Sequence, residues 1–90
     1  MALQKIMEQK LEESFAPTYL KVDNQSHLHQ GHAGDNGTGE SHFAIEVVSS
    51  AFEGVGRAQR HRLIYDLFDE ELQGTLHALS IKALTPQEYT

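Results

Sequence analysis

The spacing of apolar positions changes repeatedly along this chain, and each change marks the edge of an element. Leu3, Ile6, Met7, Leu11 and Phe15 recur with a helical period. That pattern predicts an amphipathic helix over residues 2–15, stopped by Pro17. Across residues 19–24 the period drops to two: Leu20 and Val22 face one way, Tyr19, Lys21 and Asp23 the other, as in a half-buried strand. Residues 25–41 show no apolar period. Alternation returns when Phe43, Ile45 and Val47 interleave with His42, Ala44 and Glu46, giving a second strand that can pair back on the first.

Ser50-Ala51-Phe52-Glu53 has the spacing of a capping box and runs straight into Gly54, so a single helical turn is expected there. A longer helix then runs from Gly56 to about Gln73, with Leu63, Ile64, Leu67 and Phe68 on its core side and Gly74 as its stop. The third strand covers residues 76–84, with His77, Leu79 and Ile81 on one side and Ala78, Ser80 and Lys82 on the other. Thr85-Pro86-Gln87-Glu88 is a second capping box, with proline at the first helical position. The order is α-β-β-α-α-β-α. A right-handed helical crossover between strands two and three makes them parallel. The expected class is α+β: a three-stranded mixed sheet with helices on one face, similar to the type II KH fold.

The chain has 90 residues, enough for one domain over residues 1–90. No apolar run approaches the roughly 20 residues of a membrane span. Its first segment, MALQKIMEQKLEESF, carries three acids and fits neither a signal nor a transit peptide. The expected setting is therefore soluble and cytoplasmic. A net charge of −6 disfavours a general polyanion binder. Arg57, Arg60 and Arg62 nevertheless fall within six residues, leaving a local anion-facing patch open. At 100° per residue Arg60 sits within the Leu63/Ile64/Leu67 stripe, with Arg57 near it. Its stem should pack and its guanidinium reach a carbonyl or carboxylate at the helix start. Arg62 points away, with Asp66 four residues on as a partner. The phosphate clamp of KH domains needs Gly-x-x-Gly, which Gly54-Val55-Gly56 does not match.

Six histidines and no cysteine change the picture most. The missing thiolates exclude disulfides, a cysteine nucleophile, an all-cysteine zinc site and a cluster held wholly by this chain's sulfur. Four of the histidines and four of the seven glycines fall in QSHLHQGHAGDNGTGESH, residues 25–42. His27, His29 and His32 there belong either to a solvated polar loop or to a zinc, copper or nickel site. His77 is either a rim histidine satisfied by a hydrogen bond or a ligand within reach of the hairpin loop. No catalytic triad or acid–base carboxylate pair is recognisable, so neither an enzyme nor a small-molecule substrate is expected.

Taken in order, six pieces resemble the BolA family over residues 20–89. They are Asn24-Gln25-Ser26-x-x-His29, Gly39-Glu40-Ser41-His42-Phe43, Phe52-x-Gly54, Arg60-His61-Arg62-Leu63-Ile64-x-x-Leu67, His77-Ala78-Leu79-Ser80 and Leu84-Thr85-Pro86-x-Glu88. Gln25 and Tyr89 depart from the family's more frequent Glu and Trp, and the loop is longer and richer in histidine. The resemblance implies a non-enzymatic adaptor for a monothiol glutaredoxin, in iron–sulfur maturation and trafficking or iron regulation. The glutaredoxin would bring a cysteine and bound glutathione to a bridging [2Fe-2S] cluster. This chain would bring His77 from the His-Ala-Leu motif and a loop histidine, His29 or alternatively His32. Imidazoles in place of thiolates should raise the cluster's potential. The family also implies an alternative, a DNA-binding transcriptional regulator using Arg57, Arg60 and Arg62.

Overall fold

The computed structural model describes residues 3–26 and 41–89. The elements run α1 (Leu3–Phe15), β1 (Tyr19–Asn24), β2 (His42–Val48), a short 3-10 turn (Ser50–Phe52), α2 (Arg57–Leu67), α3 (Asp69–Gln73), β3 (Ala78–Leu84) and α4 (Pro86–Tyr89). The sheet order is β1-β2-β3, with β1 antiparallel and β3 parallel to β2. This is the mixed α+β sheet that the apolar pattern predicts.

Register explains the core. Leu20 lies opposite Val47 and Val22 opposite Ile45; across the other seam Phe43 meets Leu79, Ile45 meets Ile81 and Val47 meets Ala83. Because strand side chains alternate, these residues share one face, and the helices and the segments joining them close over it with Leu3, Met7, Leu11, Phe52, Ile64, Phe68 and Leu76. The helix α1 ends where Ala16 takes a left-handed conformation (φ 45°) while its N–H still donates to the Glu12 carbonyl at 3.0 Å. Lys10 on α1 reaches across to Glu71 on α3 at 2.6 Å.

Several local expectations are corrected. The cap of the 3-10 turn is Ser49, not Ser50: its Oγ accepts the Ala51 N–H at 3.0 Å and donates to the Phe15 carbonyl at 2.5 Å. The Ser49 N–H donates to Leu84, so one fully buried serine ties together the ends of α1 and β3 and the start of the turn. The predicted helix from Gly56 to Gln73 breaks at Phe68 (φ −105°, ψ 22°), whose N–H is shared between the Ile64 and Tyr65 carbonyls. The break turns Phe68 fully into the core, and Asp69, Glu70 and Glu71 open α3, where negative charge suits a helix start. Leu63 is 37% exposed rather than core-facing. Among the described residues, Arg62 and Asp66 form no ion pair.

The strand β3 begins at Ala78 rather than residue 76, because the N–H groups of His77 and Ala78 both donate to the Ser41 carbonyl, at 2.7 and 3.1 Å. Helix side chains also reach carbonyls along the sheet edges. Gln4 donates to Val22 at 3.0 Å, the Tyr65 hydroxyl to Leu79 at 2.9 Å and Arg60 to Ala83 at 3.0 Å. At the far end, Tyr89 of α4 stacks on Tyr19 with ring centroids 5.1 Å apart. No described helix is long and apolar enough to cross a membrane.

Candidate metal-binding site at the sheet rim

The rim is built on two buried serines. Ser26 Oγ accepts the N–H groups of Ser41 and His42, at 2.8 and 3.1 Å, and the Gln25 N–H donates to the His42 carbonyl at 2.8 Å. Ser26 in turn donates its own N–H to the Asn24 side chain at 3.0 Å, an Asx turn that β1 carries at its end. The chain therefore enters and leaves residues 27–40 at one clamped point. Ser41, at that point, accepts the His77 N–H.

His77 stands exposed on this rim. Its main chain is anchored, yet among the described residues no hydrogen bond reaches its imidazole; its ring neighbour is His42, centroid to centroid 5.5 Å at an interplanar angle of 53°. By strand alternation His77 belongs on the core side with Leu79. The doubled bond to Ser41 puts it outside the strand, and its side chain faces solvent while Leu79 is buried. A shallow cleft lined by Gln25, His42, Ala78 and Ser80 opens alongside. His27, His29 and His32 lie outside the described residues, and among the described ones no group of three or more acidic or histidine side chains could by itself hold a metal.

From the sequence alone His42 is only the start of a strand. The structure sets its ring against His77, with Nδ1 2.8 Å from Ser41 Oγ. A signal was available: in a parallel β2–β3 pair His42 lies opposite Ala78, one residue from His77.

The basic segment divides differently. Arg60 is only 5% exposed, and its Nε donates to the Val55 carbonyl at 2.7 Å while Nη1 donates to Ala83 and to Glu88 at 2.6 Å. Its guanidinium also lies 5.9 Å from the Phe52 ring centroid. The expected packed stem and carbonyl contact are present, so Arg60 is withdrawn from any external anion. The predicted capping box closes: Glu88 accepts the Thr85 N–H at 2.9 Å, and Thr85 Oγ1 accepts the Glu88 N–H at 3.2 Å. The hydrogen bond from Arg60 and then that from the Thr85 backbone hold the Glu88 carboxyl at a pKa of about 2. Arg57 comes within 3.8 Å of Glu88 but stays 69% exposed, and Arg62 is exposed on the outer side of α2.

The fold and rim define a class. The chain belongs to the BolA family: the family model for BolA-like protein matches residues 11–88. It is 42% identical over 89 residues to the DNA-binding transcriptional regulator BolA of Haemophilus influenzae, covering 99% of this chain and 82% of that one. Among solved structures, the BolA domain of SufE1 from Arabidopsis thaliana superposes with a TM-score of 0.88 at 44% identity, covering 98% of this chain and 96% of that one. BolA1 from Arabidopsis thaliana superposes with a TM-score of 0.85 at 44% identity, covering 94% and 93% respectively.

Proposed function

We propose that this protein is a non-enzymatic adaptor that offers His77 as a ligand to a [2Fe-2S] cluster shared with a monothiol glutaredoxin, in iron–sulfur trafficking or iron regulation. The observation that carries the reading is the condition of His77: main chain anchored to Ser41, ring exposed and free of hydrogen bonds among the described residues. A buried histidine serving the fold would have its ring polar atoms satisfied. The chain has no cysteine, so it brings imidazole rather than sulfur to any iron site, and the thiolates must come from the glutaredoxin and glutathione. Bound there, the cluster would supply a site for iron and electrons, and imidazole ligation would make it less negative. The clamp at Ser26 and Ser41 brings both ends of the segment holding His29 and His32 to the same rim, which favours one of them as the second ligand.

Mixing the protein with a monothiol glutaredoxin, glutathione, ferrous iron and sulfide should give a heterodimer whose visible circular dichroism differs from that of the glutaredoxin homodimer. His77→Ala should return the homodimer spectrum; an unaltered mixed spectrum would remove His77 as a ligand. Comparison of His29→Ala with His32→Ala then identifies the loop ligand.

A second reading, DNA binding, draws on the name of the Haemophilus relative and on exposed Arg57 and Arg62. Affinity for duplex DNA should then fall steeply with salt and weaken on Arg62→Ala. Absence of binding at moderate salt rejects this reading.

A further inference from the structure

We infer that His42 is a positioning residue for His77: it is a fixed imidazole wall that holds the His77 ring in one orientation at the rim. Each part of His42 is tied down. Its N–H donates to Ser26 Oγ at 3.1 Å and its carbonyl accepts the Gln25 N–H at 2.8 Å. Its Nδ1 is 2.8 Å from Ser41 Oγ, a bond that fixes the ring whichever partner carries the proton. His42 is 8% exposed and Ser41 fully buried, so solvent competes little for that bond.

The same two residues grip His77 at both ends. The Ser41 carbonyl takes the His77 N–H at 2.7 Å, and the His42 ring meets the His77 ring at a centroid distance of 5.5 Å. An exposed side chain held only at its main chain keeps its rotamer freedom and loses it on binding. A ring already leaning on a rigid neighbour has less to lose, so its affinity for any ligand rises. Hydrogen-bonded partners that orient a metal-binding histidine are worth about 10- to 100-fold in metal affinity, and a ring contact such as that of His42 is expected at the low end of that range. The inference extends the His77 reading in its cluster arm, whereas its structural arm needs no cluster.

The structural arm is an NMR measurement on the protein alone. His42→Leu keeps a buried aliphatic side chain in β2 and removes the ring and its Ser41 bond. The His77 ring resonances should lose the ring-current displacement from His42, and the His77 side-chain couplings should collapse to rotamer-averaged values. His42→Phe, which restores a ring, should recover both in part. Unmoved His77 resonances and couplings in His42→Leu, with the other amide signals intact, would overturn the inference. Should His42→Leu fail to fold, Ser41→Ala keeps the imidazole but removes the bond at its Nδ1; a fully ordered His77 ring in that variant overturns the inference equally.

In the cluster arm, the mixed complex of His42→Leu should keep the histidine-type spectrum yet lose iron about tenfold faster than wild type. An unchanged rate would overturn the positioning role while leaving His77 as ligand. If instead His77→Ala leaves the mixed spectrum unaltered, the ligand reading fails and the NMR result alone decides the role of His42.

Discussion

Phe52→Ala should lower unfolding free energy by about 3–5 kcal/mol, the range for deleting a buried phenylalanine. Phe52 has no exposed surface although it sits in a three-residue turn. Its ring centroid lies 4.9 Å from that of Phe15 at the end of α1, and the Arg60 guanidinium carbon lies over the Phe52 ring, 5.9 Å from its centroid. Truncation therefore opens a void where α1, the turn and α2 converge, and little there can move in to fill it, because Ser49 pins two of those ends. Urea unfolding should show a lower midpoint at unchanged slope. Phe52→Leu, which keeps most of the volume, should cost under about 1.5 kcal/mol. Equal losses for the two variants would mean that volume is not what Phe52 contributes.

Arg60→Met should cost about 3 kcal/mol, since methionine keeps the packed stem but leaves the Val55 and Ala83 carbonyls without their donor. Arg60→Lys should recover little, because a single ammonium cannot span two carbonyls and a carboxylate in the way a guanidinium fork does. The same substitution should change the acid response. Glu88 has its pKa lowered from 4.5 to about 2, chiefly by Arg60, so the ionised form favours the folded state. That contribution is complete above pH 4.5 and is lost as pH falls through about 2. Stability measured over this window should fall in the wild type, and the slope should flatten in Arg60→Met. Parallel slopes would separate Glu88 from Arg60.

Much of the fold was legible because its elements differ in period. The first two strands, the first helix and the Thr85 capping box follow directly from alternation, helical spacing and cap chemistry. Arg60 was legible too, since a cation in the middle of an apolar stripe must find partners inside. What escaped depends on contacts distant in sequence. Ser49 outcompetes Ser50 as a cap because Phe15 and Leu84 converge on it, and neither is near in the chain. The break at Phe68 answers a demand from the core, not from helix propensity. Leu63, 100° from Ile64 around α2, falls at the outer edge of the buried stripe that Arg60 and Ile64 define. At the rim, the choice of His77 came from the family motif, whereas periodicity alone pointed it inward. His42 was read as a strand residue because its partner lies 35 positions away and is brought near only by parallel register.

The helix side chains that reach the sheet edges bear on how copies of this chain meet one another. An unguarded edge strand offers its carbonyls as a template for another strand. Here Gln4 occupies one such carbonyl on β1, and Tyr65 and Arg60 occupy two on β3. A second copy approaching in extended form would first have to displace a phenol and a guanidinium already bonded within the monomer. A three-stranded sheet with two outer strands thus carries its own guard against stacking into a continuous ribbon, and that guard is drawn from the same residues that hold α1 and α2 in place.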